Sequence, residues 1–113
     1  MLQHRTKDAK KYPRTWGFFG GGIEKDETPL ETVKRECYEE LGYKLNNPKL
    51  ILEKKINGKD FFLFIEKYDG KQKLILGGQG MKWFKTSEVE KIKATQFVKE
   101  IIREVVQKIN SQT

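Results

Sequence analysis

The chain has 113 residues, enough for one domain with one modest core, and no apolar run approaches the length of a membrane span. A single cysteine, Cys37, and a single histidine, His4, exclude an intramolecular disulfide and a structural zinc site, so any bound metal must be held mainly by oxygen ligands. The net charge of +7 attracts anions such as phosphates or nucleic acid, but the lysines are spread along the chain, which reads as a solvated basic surface rather than a dedicated RNA patch. The N-terminus does not read as a signal peptide, and a cytoplasmic location is expected.

In chain order, residues 1–5 suit the end of a strand, and residues 6–15 form a polar stretch containing Pro13. Trp16–Phe19 reads as a short apolar strand that runs into Gly20, Gly21 and Gly22, where the backbone can turn sharply or approach a ligand closely. The strongest helix signal follows: Thr28 as N-cap, Pro29 at the first helical position, Glu31 completing a capping box, and Gly42 as the stop. The spacing predicts a helix over residues 29–41 with Leu30, Val33, Cys37 and Leu41 on its inward stripe. Strands are expected at 50–56 and 61–67, joined by a hairpin turn at Asn57-Gly58, with a further turn at Asp69-Gly70 leading into an extended segment at 73–76. A second glycine group (Gly77, Gly78 and Gly80 around Gln79) precedes a short strand at 82–84. Ser87 and Glu90 suggest another capping box and a short helix, and residues 95 to about 110 an amphipathic helix with Phe97, Ile101, Ile102, Val105 and Ile109 inward. The whole reads as a single domain, residues 1–113, of the mixed α/β (α+β) class.

One spacing concentrates the chemistry. Glu36, Glu39 and Glu40 fall at i, i+3 and i+4, so their carboxylates gather on one helical face beside the apolar stripe. Crowded like charges cost a helix roughly 0.2–0.5 kcal/mol per pair, a cost that a bound cation reverses. Hard oxygen ligands without a thiolate cluster favour Mg²⁺ or Mn²⁺. Three glutamates alone describe an ordinary acidic helix face. What changes the balance is their fixed offset from the glycine loop, the capping box, the Arg35-Glu36 pair and the terminal glycine.

The run Gly21-x5-Glu27-x7-Arg35-Glu36-Cys37-x-Glu39-Glu40-x-Gly42-Tyr43 resembles the Nudix box, and all seven of its fixed polar and glycine positions match over 23 residues. Cys37 and Tyr43 stand where that motif usually has bulky aliphatics, and both can still be buried. More weakly, residues 2–22 and the segment Gln79, Gly80, Trp83, Phe84 look like the flanks of MutT-like members.

The resemblance implies an α/β/α sandwich around a mixed sheet, lacking the strand that usually comes first; an exposed sheet edge of that kind would be covered in a homodimer or would lower stability. It implies a pyrophosphohydrolase that cleaves the diphosphate linkage of a nucleoside diphosphate derivative. A nucleoside triphosphate, oxidised ones included, cleaved to the monophosphate and pyrophosphate is the expected substrate. The alternatives are ADP-ribose, nucleotide sugars or dinucleoside polyphosphates, or a non-catalytic nucleotide- or RNA-binding module. RNA is a less favoured partner, and no membrane is expected. Glu36, Glu39 and Glu40, with a carbonyl from Gly21, would bind the metal, and Arg35 and Glu27 would support them. Arg5, Gly21, Gly22, Trp16, Gln79 and Trp83 would meet substrate. MutT-like members often carry a further acid where this chain has Gly77, so Glu66 or Asp69 would have to substitute, or Glu36 would act as base, or activity would be low.

Overall fold

The computed structural model describes residues 1–4, 16–18, 23–75 and 81–111. They fall into two compact units, Met1–Phe19 with Leu76–Thr113, and Gly20–Ile75.

The first unit holds three short strands, β1 (Leu2–His4), β2 (Trp16–Gly17) and β5 (Met81–Lys82), in the order β2-β1-β5 with both pairings antiparallel. Trp16 adds an isolated parallel bridge to Ala94 and donates its backbone N–H to Lys93 at 2.9 Å. A 3₁₀ turn at Thr86–Lys91 buries Val89. Its N-terminus is closed by Glu88, whose carboxylate accepts the Lys85 N–H at 2.9 Å. The expected pairing of Ser87 with Glu90 is therefore displaced by two residues, because Glu90 is taken by Arg103 on the next helix through bonds of 2.5 and 2.7 Å. That helix, α2 (Gln96–Ser111), buries Val98, Ile101 and Val105, at i, i+3 and i+7. Phe97 and Ile109, expected inward, are exposed: Phe97 lies on the flank of the stripe and Ile109 in the last turns of the helix.

The second unit contains helix α1 and one hairpin. α1 (Pro29–Leu41) has the expected ends: Thr28 accepts the Glu31 N–H at 3.2 Å, Glu31 accepts the Thr28 N–H at 3.0 Å, and Gly42 adopts φ +66° while donating to Tyr38 O at 2.8 Å. Leu41 is buried, and Val33 and Cys37 are half-buried. Leu30 is 41% exposed, a departure from the expected stripe. The inward arc is displaced towards Thr32, Glu36 and Glu40, which are buried or half-buried. Strands β3 (Lys49–Ile56) and β4 (Lys59–Ile65) form an antiparallel hairpin. Asn57 and Gly58 both take positive φ, 52° and 78°, as a two-residue hairpin turn demands. A bulge between Leu50 and Leu52 breaks the strict alternation of faces, and Ile51 and Leu52 are both buried.

Residues 66–75 form a strap along the segment that follows α1. Glu66 accepts the backbone N–H groups of Asn46 and Asn47 at 3.2 and 2.6 Å. The Gln72 side-chain amide pairs with both the N–H and the C=O of Lys44 at 2.8 Å each, standing in for a backbone bridge. Buried Tyr43 accepts the Asp69 N–H at 3.1 Å and meets Tyr68 edge-on at 5.6 Å. Ile75 donates its N–H to Leu41 O at 2.8 Å. Because side chains make most of these links, the described part of the expected 73–76 strand, Lys73–Ile75, joins no ladder. Gly42 is favoured here by its left-handed φ, and a Cβ would also meet Ile75 Cδ1, the end of an exposed side chain, at 2.7 Å. Gly42→Ala should cost about 1–2 kcal/mol from the left-handed backbone, read as a lower urea midpoint with an unchanged slope. An unchanged midpoint would show that the cap contributes nothing.

Candidate active site

Glu27 sits in the turn that delivers the chain into α1. The turn closes through reciprocal bonds: Glu27 N–H to Glu24 O at 3.0 Å, and Glu24 N–H to Glu27 Oε1 at 3.0 Å. Asp26 takes φ +66° to make it, a conformation that Asp tolerates better than most side chains.

Arg35, two turns into the helix, meets Glu27 edge-on, with Nε to Oε2 at 2.7 Å and Nη2 to Oε1 at 3.1 Å. This two-pronged pairing fixes the plane of the guanidinium. The remaining prong, Nη1, faces the other acids: Glu36 Oε1 at 2.8 Å, Glu39 Oε2 at 3.2 Å and Glu24 Oε1 at 3.5 Å. Hydrogen bonding by Arg35, and then by the Glu24 backbone, holds the Glu27 carboxyl down at about 2 against an ordinary 4.5. Glu27, above all, raises the Arg35 guanidinium further above its usual range.

The three helix glutamates divide by exposure. Glu36 and Glu40 are half-buried, whereas the Glu39 side chain is 56% exposed. Half-buried glutamates flanking an apolar stripe are not a solvated acidic face; side chains of this type go inside only when something compensates their charge. Cys37 lies between them on the helix. Burial, and then the charges of Glu40 and Glu66, push its thiol up, so it is a packing residue rather than a nucleophile.

The donor set suits a hard divalent cation: carboxylate oxygens within one turn of one helix and no thiolate among them. Among the described residues no three acidic, His or Cys side chains converge on a single point, and Arg35 bonds both Glu36 and Glu39.

Of the other expected site residues, Trp16 and Trp83 belong to the first unit. Trp16 packs edge-to-face on Phe84 with centroids 4.9 Å apart, and Trp83 is 55% exposed. Arg5, Gly21, Gly22 and Gln79, together with Gly77, lie outside the described residues. Of the two acids offered as substitutes at Gly77, Glu66 accepts the N–H groups of Asn46 and Asn47, and Asp69 accepts those of Lys71 and Gln72 at 2.8 and 3.0 Å. Sequence reasoning missed Thr32, a buried polar side chain whose hydroxyl is 2.9 Å from Glu27 Oε1. Its one legible signal is a β-branched hydroxyl residue in mid-helix, where such residues are poor helix formers.

The NUDIX domain family model matches residues 1–105. The chain belongs to the Nudix family. It is 35% identical over 89 residues to an RNA pyrophosphohydrolase of Francisella philomiragia, covering 70% of this chain and 52% of that protein, so it spans about half the length of this curated relative. Its fold is similar to a MutT structure from work on Aliivibrio salmonicida and Vibrio cholerae, with a TM-score of 0.73 at 17% identity, covering 94% of this chain and 83% of that one. The α+β class expected from the Nudix resemblance is the one observed: helices with antiparallel pairs of strands, the Trp16–Ala94 bridge being the one parallel contact among the described residues. No described helix is long and apolar enough to cross a membrane.

The Nudix glutamate Glu27 yields a pH prediction. Its folded-state value is depressed, so it contributes stability at pH values above its ordinary 4.5 and loses that contribution as pH falls through about 2. Urea melts between pH 7 and pH 2 should show a fall in stability that is shallower in Glu27→Gln. Parallel curves for the two proteins would mean that the Arg35 pair does not stabilise the fold.

Proposed function

We propose that this Nudix chain is a metal-dependent pyrophosphohydrolase that cleaves the diphosphate linkage of a nucleotide derivative. The observation that carries the reading is the half-buried pair Glu36 and Glu40 beside an Arg35 whose orientation is set from behind by Glu27. Such an array holds negative charge where a folded chain would otherwise avoid it.

Glu36, Glu39 and Glu40 would hold Mg²⁺ or Mn²⁺, which when bound neutralises charge on the diphosphate oxygens and lowers the pKa of a water. Arg35 holds Glu36 by its Nη1 and so sets the direction from which that carboxylate orients the attacking water. Water oxygen bonds to phosphorus, the bridging oxygen leaves with its electron pair, and the water proton passes to a carboxylate. With Glu66 and Asp69 committed to backbone amides, Glu36 is the acid we assign to this task. Glu40→Gln should lower turnover by at least ~10²-fold, about 2.7 kcal/mol of transition-state stabilisation, because it removes a charged ligand without changing shape. Turnover unchanged in steady-state assays of that variant would overturn the assignment.

For substrate we favour a nucleoside triphosphate, a compact and highly charged ligand that suits a chain of net charge +7. A second reading, a diphosphate linkage carried on RNA, has two observations of its own. One is the RNA pyrophosphohydrolase relative. The other is the distribution of charge: residues 20–75 contain eleven Lys/Arg and eleven Asp/Glu, whereas the remainder contains twelve against five and so carries the whole +7. The Lys/Arg are evenly split and the acids are not, so one unit is net basic, which suits a polyanion. Catalytic efficiencies should be compared for nucleoside triphosphates (normal and oxidised), ADP-ribose, a dinucleoside polyphosphate and 5′-triphosphorylated RNA at one Mg²⁺ concentration. The triphosphate reading predicts that free nucleotides lead. RNA cleaved at least tenfold better, with efficiency falling steeply between 50 and 200 mM salt, would replace it with the second reading.

A further inference from the structure

We propose that Thr32 is a positioning residue for the acidic cluster, its buried hydroxyl setting the orientation of Glu27 and, through Glu27, the plane in which Arg35 presents itself to Glu36 and Glu39. The inference rests on the assignment of those glutamates as metal ligands.

Thr32 is 6% exposed and occupies the helix turn directly after the capping box. Its hydroxyl proton has two acceptors within reach, Glu27 Oε1 at 2.9 Å and Thr28 O at 3.1 Å. Bonding to the carbonyl four residues back is what a mid-helix threonine does by default. Here that carbonyl already accepts the Thr32 N–H at 3.0 Å, and the alternative acceptor is an ionised carboxylate at the shorter distance. A charged acceptor makes the stronger bond, so the proton belongs to Glu27.

Glu27 Oε1 then receives three donors: the Glu24 N–H at 3.0 Å, the Thr32 hydroxyl at 2.9 Å and Arg35 Nη2 at 3.1 Å. The first belongs to an exposed turn and the third to the group being positioned. Thr32 is the donor anchored in the buried face of the helix itself, with a β-branched side chain whose χ1 is stiff. Rotation of the Glu27 carboxylate would swing both prongs of the Arg35 pairing and carry Nη1 away from Glu36 and Glu39. The hydroxyl blocks that rotation from a fixed point on the same helix that carries the glutamates.

Four proteins separate this role from packing: the wild type and the variants Thr32→Ser, Thr32→Val and Thr32→Ala. Thr and Ser carry the hydroxyl and Val and Ala lack it, while Thr and Val share a shape that Ser and Ala lose. The readouts are Mn²⁺ affinity without substrate, by calorimetric titration, and the melting temperature of each protein. Positioning predicts that Mn²⁺ affinity sorts by hydroxyl, with Thr32→Ser near wild type and Thr32→Val and Thr32→Ala weaker by about three- to tenfold, whatever the order of melting temperatures. Should Thr32→Val fail to fold, the Ser and Ala pair makes the same comparison at constant loss of the methyl group. Affinity that follows melting temperature, or that is unchanged in Thr32→Val and Thr32→Ala, would overturn the role of Thr32. Glu40→Gln is the control for the site itself: if it binds Mn²⁺ as tightly as wild type, or if wild type binds none, the metal assignment falls and the Thr32 inference with it.

Discussion

The site depends on one guanidinium held in one plane. Arg35 lies among four carboxylates, and left to Coulomb attraction it could satisfy any of them in many orientations. Glu27 removes that freedom by taking two of its N–H groups edge-on, which leaves Nη1 for Glu36 and Glu39. A lysine ammonium carries the same charge but has no plane to fix, and it would sit among the acids as a point charge. The turn at 24–27, the capping box at Thr28 and Glu31, and the buried Thr32 hydroxyl all converge on keeping Glu27 where this pairing needs it.

The same arrangement accounts for how like charges coexist on α1. Arg35 neutralises part of the repulsion among Glu24, Glu27, Glu36 and Glu39, so the helix forms with its acids already gathered on one side. Glu39, the most exposed of the helix trio, has the longer bond to Arg35. The far end of the helix is secured by different means. Gly42 turns the chain, Tyr43 buries its ring, and the 66–75 strap ties residues 41–47 through Glu66, Gln72 and Ile75. The glutamates thus occupy a helix pinned at both termini, which limits how far their backbone can drift.

Much of this was legible in the sequence because it depends on local rules. The capping box and the terminal glycine set α1 to the residue, and Asn57-Gly58 set the hairpin, since each depends on backbone conformations open to few residue types. Reading failed where two local options competed and a distant partner decided. Ser87 and Glu90 form a legitimate capping pattern, but Arg103 claims Glu90 from another element and Glu88 closes the turn instead. Helical spacing places Leu41, Ile101 and Val105 inward as observed, yet α2 buries Val98 in place of Phe97, and α1 turns its inward arc towards Thr32, Glu36 and Glu40. Nothing in a linear sequence shows that Glu66 and Asp69 accept backbone amides twenty residues away, or three.

The sequence by itself determined the family motif, the residue types at the site and the helix that carries them, because the spacing of seven charged and glycine positions and the chemistry of helix ends are both local properties. Only the tertiary structure decided which carboxylates are half-buried, which prong of Arg35 faces which acid, and that Thr32 stands behind Glu27. Those depend on the direction of side chains brought together from a turn, a helix face and a strap, and direction is set by packing rather than by spacing along the chain.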